Sequence, residues 1–337
     1  MIWPPKRGIG LMLAIAAIFA LHATALAATA SSLTIYSGRQ EPLVGPLFAQ
    51  FEAETGIKVN VRYGDTAELA ATILEEGRNS PADIFFAQDA GALGALAYAN
   101  RLVQLPQDIL ELVDPRLRSA DGYWVGTSGR ARVIVYNADK YNEDELPSSI
   151  WDFTQPEWRG RIGWAPTNAS FQAFVTALRH LEGDARAEQW LRGILANQPR
   201  AYHNNTAIYD AVARGEIDVG FTNHYYLFRF LAEQGEAFPA RIYFTKGDAG
   251  SMINIAGVGI LDTSKNREAA ELFIRFLLSD SAQQHFVHAT YEYPVVEHIA
   301  PHEMLPPLKD IETPDIDLSN LEDLQGTLEL LFRVGVL

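Results

Sequence analysis

Residues 33–88, LTIYSGRQEPLVGPLFAQFEAETGIKVNVRYGDTAELAATILEEGRNSPADIFFAQ, switch repeatedly between two hydrophobic periods, and the order of the switches sets the fold. Leu33 to Tyr36 is a short β-rich run that breaks at Ser37-Gly38. Helical spacing follows from about Leu43 to Glu54 and stops at Thr55-Gly56, where glycine tolerates the left-handed backbone of a helix end. IKVNVRY is a second strand, Thr66 to Gly77 a second helix, and Ser80-Pro81 leads into the apolar strand ADIFFAQ. Such a β-α-β-α-β series predicts a parallel sheet with helices on its faces. Ligands collect at the carboxyl ends of strands in sheets of this kind. Here those ends carry Ser37-Gly38-Arg39-Gln40 and Gln88-Asp89.

Further along, WVGTSGRARVIVYN (124–137) joins a Gly-rich start to a β-rich run, a ribbon long enough to leave one lobe and enter another. RGRIGWAPTNASFQAFVTAL (159–178) and AYHNNTAIYDAVARGEIDVGF (201–221) form a second α/β unit. SMINIAGVGIL (251–261) is a strand suited to carry the chain back. Helical patterns follow at Arg267–Leu278 and Ser281–His288. A connection with Pro294, Pro301, Pro306, Pro307 and Pro314 then leads to a last helix near Leu318–Phe332. The expectation is two α/β lobes around a hinged cleft, lobe one from residues 31–131 and 256–306 and lobe two from 132–255 and 307–337.

The 337 residues, 48% hydrophobic and 20% charged, suit about two domains. The formal charge of −15 argues against nucleic acid or an anionic membrane as partner. Residues 1–27 carry the pattern of a secretory signal: Lys6 and Arg7, an apolar run from Ile9 to Leu21, and Ala25-Leu26-Ala27 as cleavage site. The run is too short for a membrane span. Without cysteine, the chain has neither disulfides nor thiolate metal chemistry. The expected product is free in the periplasm, or secreted where no outer membrane exists.

One short stretch holds unusual chemistry. In GEIDVGFTNHYYLFRF (215–230), Ile217 to Phe221 is a buried strand, and from His224 the apolar spacing becomes helical. Asn223 is the expected N-cap, which places Tyr225 and Tyr226 in the first helical turn, where the dipole favours negative charge. Alone, the pair suits a half-buried aromatic contact. Two phenol oxygens there also suit a cation strong enough to displace their protons, such as ferric ion, with affinity falling in acid.

Taken in order, six segments resemble the periplasmic ferric-ion-binding proteins of bacterial iron ABC transporters, across nearly all of the mature chain. They are LTIYSGRQEPLVGPLFAQFEAETGIKV, SPADIFFAQDAGALGAL, WVGTSGRARVIVYN, RGRIGWAPT, NNTAIYDAVARGEIDVGFTNHYY and EYPV at Glu292–Val295. The resemblance implies a bilobed type II periplasmic binding fold that closes on its ligand. It implies Tyr225 and Tyr226 as ligands of Fe³⁺, beside a synergistic anion, carbonate or phosphate. The anion positions fall on Asn168, Ala169, Ser170, Asn205 and Asn223. An ABC permease with its ATPase is the implied partner, and the receptor is expected to act as a monomer.

The chain also departs from that family. Known members supply a histidine after the first strand and a glutamate after the third, where this chain has Gln40 and Gln88; others use a third tyrosine, absent from Asn168–Phe171. Two phenolates and one carbonate still supply enough charge for a hard trivalent ion. Arg39, Arg130 or Arg132 would offset the excess and hold the anion through paired N–H donors, although Arg39 equally suits a salt bridge and Arg132 a structural pairing. Lobe one is then expected to add little direct metal bonding.

Other candidates are weaker. His298 and His302 flank Pro301 and fit a surface loop, and His285 and His288 fit ordinary helix positions. His224, about 100° around the helix from Tyr225, is expected behind the tyrosines or facing solvent. Asp65, Asp89 and Asp248 suit loop caps better than metal ligands, with Asp89 still a possible cleft residue. Two other classes remain: a receptor of the same fold for an anion, polyamine or thiamine-like solute, and a secreted hydrolase. The second is disfavoured because neither GxSxG nor HExxH occurs.

Overall fold

The computed structural model describes residues 32–337, so the signal expected at 1–27 lies outside the described residues. The opening series folds as β1 (Ser32–Ser37), α1 (Glu41–Thr55), β2 (Lys58–Tyr63), α2 (Thr66–Glu76), β3 (Ile84–Ala87) and α3 (Ala90–Tyr98). β1 pairs in parallel with both β2 and β3, with Ile35 opposite Val61 on one side and Ile84 on the other. Gly56, at φ 73°, ends α1 in the left-handed backbone that glycine adopts without strain. Because helices cover the sheet, β3 is buried along its whole length. Phe48, Phe51 and Phe273 pack beneath it, with ring centroids 5.0–5.6 Å apart.

A short helix, α4 (Gln107–Leu110), precedes β4 (Val125–Asn137), whose thirteen residues are all buried. The second unit comprises β5 (Ile162–Trp164), α5 (Ala169–Glu182), α6 (Asp184–Ala196), β6 (Arg200–Ala201), α7 (Asn205–Ala213), β7 (Val219–Asn223), α8 (Tyr225–Gln234) and β8 (Ala240–Tyr243). β9 (Ile253–Ile260) returns and inserts antiparallel between β3 and β4. α9 (Arg267–Leu277), α10 (Asp280–Ala289) and α11 (Leu324–Val334) complete the chain.

β4 is shared by two α/β lobes. Val125–Ala131 pairs with β9, whereas Arg132–Tyr136 pairs with β7 and Ile134–Asn137 with β8. The full order is β2-β1-β3-β9-β4-β7-β5-β6, with β8 also on β4. A second aromatic cluster, Phe153, Phe174, Trp190 and Phe221, fills the β5–β7 side.

Two expected boundaries move. The last helix begins at Leu324, where Asp323 accepts from the Gly326 N–H, and Leu318–Leu321 forms a separate 3₁₀ turn. α11 joins α5 through a 2.7 Å Thr176–Thr327 hydroxyl contact, while the 3₁₀ turn packs on α3. Gly91 permits that approach: a Cβ there would lie 2.3 Å from the Leu321 carbonyl oxygen. The other change concerns Asn223, which ends β7 instead of capping α8.

Candidate functional site

A cleft of about 1050 Å³ opens where several strands end and helices begin. Its walls include Gly38 and Gln40 before α1, Asp65 and Thr66 at α2, Gln88 and Asp89 at α3, Asn168 and Ala169 at α5, Asn204 at α7, and Tyr225 and Tyr226 at α8. The β-α crossovers of the sequence place these helix N-termini around one space, and their free N–H groups favour negative charge there.

Tyr225 and Tyr226 face this cleft with stacked rings, centroids 4.3 Å apart and planes 27° from parallel. Tyr225 is 7% exposed. Burial, reinforced by the Tyr226 phenol, pushes its pKa up, so its oxygen keeps a proton until a cation displaces it. Tyr209, which sequence reasoning passed over in NNTAIYDAV, lies 6.1 Å from Tyr226 ring to ring. Its hydroxyl donates to the Asn223 carbonyl at 3.1 Å and braces the strand that presents the pair.

Three arginines lie buried beneath. Arg132 Nη1 donates to Asn223 Oδ1 at 3.0 Å and reaches Ser170 Oγ at 3.5 Å. That bond explains why Asn223 does not cap α8: its side-chain oxygen is taken by a guanidinium. Burial disfavours the charge on Arg132, and the phenols of Tyr209, Tyr226 and Tyr225 favour it once ionised. Arg130 donates to the Ile255 carbonyl at 3.2 Å; burial and Arg39 lower its pKa, opposed by Tyr225, Glu292 and Asp89. Arg39 is bonded through Nη2 to both oxygens of Glu292 at 2.8 Å. Glu292 was visible only as the first letter of EYPV, 253 positions away, with nothing local to mark it as a partner.

The expected anion positions converge. Asn168 Oδ1 accepts from Ser170 N–H at 3.0 Å and from its hydroxyl at 2.6 Å, which caps α5. Asn205 Nδ2 lies 3.4 Å from Ser170 Oγ, and Asn205 Oδ1 is buried without a partner. Ala169 lines the cleft, whereas Ser170, Asn205, Asn223 and Arg132 lie buried beside that wall.

Gln40, Gln88 and Asp89 also line the cleft, with Asp89 capping α3 through the Ala92 N–H at 3.3 Å. Burial raises the Asp89 pKa. Asp65 sits at the start of α2 without a side-chain cap bond, and Asp248 caps its loop through Gly250 N–H. His224 is fully buried behind the tyrosines. Among the described residues, no three histidine, cysteine or carboxylate groups gather as a metal cluster. The oxygen-bearing side chains lining the cleft are phenols, amides, threonine hydroxyls and the carboxylates of Asp65, Glu68, Asp89 and Glu322. Such a donor set suits a hard cation, and the buried guanidiniums below it suit an accompanying anion.

Residues 33–292 match the family model described as bacterial extracellular solute-binding protein. The "Fe(3+)-binding periplasmic protein" of Serratia marcescens is 34% identical over 308 residues, 90% of each chain. Iron-bound HitA from Pseudomonas aeruginosa superposes with a TM-score of 0.85 at 33% identity, covering 90% of this chain and 99% of its own. A Trichodesmium structure (IdiA, FutA), in complex with iron and citrate ligands, gives 0.81 at 32% identity, over 90% and 99% of the two chains.

Proposed function

The chain belongs to the bacterial extracellular solute-binding proteins, and from its similarity to ferric-iron-binding members we infer that it captures ferric iron for delivery to an ABC importer. Its task is capture and release, not catalysis. The observation that carries this reading is the stacked Tyr225–Tyr226 pair, set at a helix start, facing the cleft and backed by buried arginines. Two phenolates provide hard anionic oxygens, and each must give up a proton to bind.

Carbonate or phosphate is the proposed synergistic anion. The Asn168–Ala169–Ser170 helix start and Asn205 supply donors, with Arg132 and Asn223 behind them. Arg39 adds charge from within its pair with Glu292, and Arg130 adds charge near Tyr225. Gln40 and Gln88 are neutral and poor ferric ligands, so the β7–α8 side holds the ion and the anion faces the opposite wall. Asp89, which follows Gln88 and lines the cleft, is the carboxylate proposed to supply a further oxygen.

The proposed division is 31–131 with 256–306, and 132–255 with 307–337. The change of partners along β4 at Ala131/Arg132 supports it, and closure about that point would bring the walls together. The protein is proposed to work as a periplasmic monomer with a permease and its ATPase. Adding ferric nitrilotriacetate with bicarbonate to metal-free protein tests the reading. A phenolate-to-iron band in the visible is expected, and its absence at saturating iron would overturn it.

A further inference from the structure

His224 stands where one edge of β4 changes partner. At Gly129 that edge exchanges two backbone bonds with Tyr293, at 2.7 and 2.8 Å, and from Arg132 onward it pairs with β7. Between them lies Ala131. The His224 N–H donates to the Ala131 carbonyl at 3.1 Å, as in an ordinary antiparallel ladder. The return bond would go to the His224 carbonyl, but that carbonyl has turned into α8 and accepts from the Leu227 N–H at 3.2 Å. Instead the Ala131 N–H donates to His224 Nδ1 at 3.0 Å. The imidazole therefore replaces a backbone carbonyl, and the strand becomes a helix without leaving a buried donor unpaired.

This bond also fixes the tautomer. With Nδ1 accepting, the proton sits on Nε2, which donates to the Tyr291 carbonyl at 2.8 Å. Tyr291 has a φ of 57°, unusual for a non-glycine residue, and immediately precedes Glu292, the partner of Arg39. One buried ring thus ties together the crossing strand, the start of the tyrosine helix and the segment that holds the buried ion pair.

We propose that His224 is a positioning residue for the iron site: by completing the β4 ladder with Nδ1 and holding Tyr291 with Nε2, it sets where the Tyr225 and Tyr226 oxygens stand relative to the opposite lobe. The proposal rests on the ferric reading of the tyrosine pair. Residues that orient metal ligands typically matter about 10- to 100-fold in affinity.

Ferric nitrilotriacetate with bicarbonate is titrated into the parent and into His224→Ala, His224→Asn and His224→Gln, with circular dichroism and thermal melting followed in parallel. Asparagine keeps an oxygen near the Nδ1 position and loses the Tyr291 bond. Glutamine carries an amide N–H toward Tyr291 and loses the ladder acceptor. Iron binding about 10- to 100-fold weaker and a shifted visible band are expected for His224→Ala. His224→Asn should recover the parent band position but not the full affinity, and His224→Gln should keep a shifted band. If His224→Ala does not fold, the contrast between the amide variants decides. Variants with parent affinity and parent band overturn the proposal, even if they melt at a lower temperature, because the ring would then serve only stability. A parent without any band overturns the ferric reading and this proposal with it.

Discussion

Arg39 and Glu292 form an ion pair in which both side chains are about 1% exposed, with Arg39 Nη2 2.8 Å from each carboxylate oxygen. Arg130 lies close enough to feel both partners. Two buried guanidiniums therefore face two carboxylates, Glu292 and Asp89, and Glu292 is the one bonded to the Arg39 charge.

Replacing Glu292 with glutamine leaves that charge without its counterion. Breaking a buried pair from one side costs about 3–5 kcal/mol, since the remaining ion keeps its desolvation penalty. The urea midpoint of Glu292→Gln should fall accordingly. An unchanged midpoint would show that water already reaches the pair.

Gly91→Ala tests the C-terminal docking. The new Cβ would meet the Leu321 backbone carbonyl, which cannot rotate aside as a side chain does. Overpacking of this kind costs about 1–3 kcal/mol. The melting temperature should drop, and hydrogen exchange should rise at Leu318–Leu321 first. Exchange that rises evenly along the chain would mean that the turn is not held by α3.

Gln88→Glu tests the division of labour between the two sides of the cleft. Gln88 lines the cleft beside Asp89 and brings no charge. A carboxylate there would supply the anionic oxygen that the proposed site takes from carbonate. Iron affinity should increase and its dependence on bicarbonate should shrink. Affinity that stays equal to the parent in both buffers would place residue 88 outside the coordination shell.

The alternation of periods in residues 33–88 made the parallel sheet legible, because each switch coincides with a glycine, proline or polar break. The tyrosine pair alone suited a half-buried aromatic contact, and only the resemblance of the six surrounding segments gave it a chemical reading. What escaped was set by distance or by substitution of one group for another. Glu292 meets Arg39 across 253 positions, and no local pattern announces it. Asn223 has the composition of a cap, but Arg132 from a neighbouring strand takes its oxygen. His224 performs a backbone carbonyl's task with a ring nitrogen, which becomes visible only once Ala131 is seen opposite. The last helix starts six residues later than the spacing predicts, because Leu318 and Leu321 are buried at helical spacing but belong to a 3₁₀ turn.

The double variant Tyr225→Phe/Tyr226→Phe decides whether the paired phenols hold the iron. It removes both phenol oxygens while keeping both rings and most of their packing against Tyr209 and His224. Ferric ion is titrated by competition with nitrilotriacetate in bicarbonate buffer, and the visible spectrum is read at each point. A folded protein that has lost the visible band and binds iron weaker by orders of magnitude is expected. Parent-like affinity in the double variant would contradict this and place the iron elsewhere.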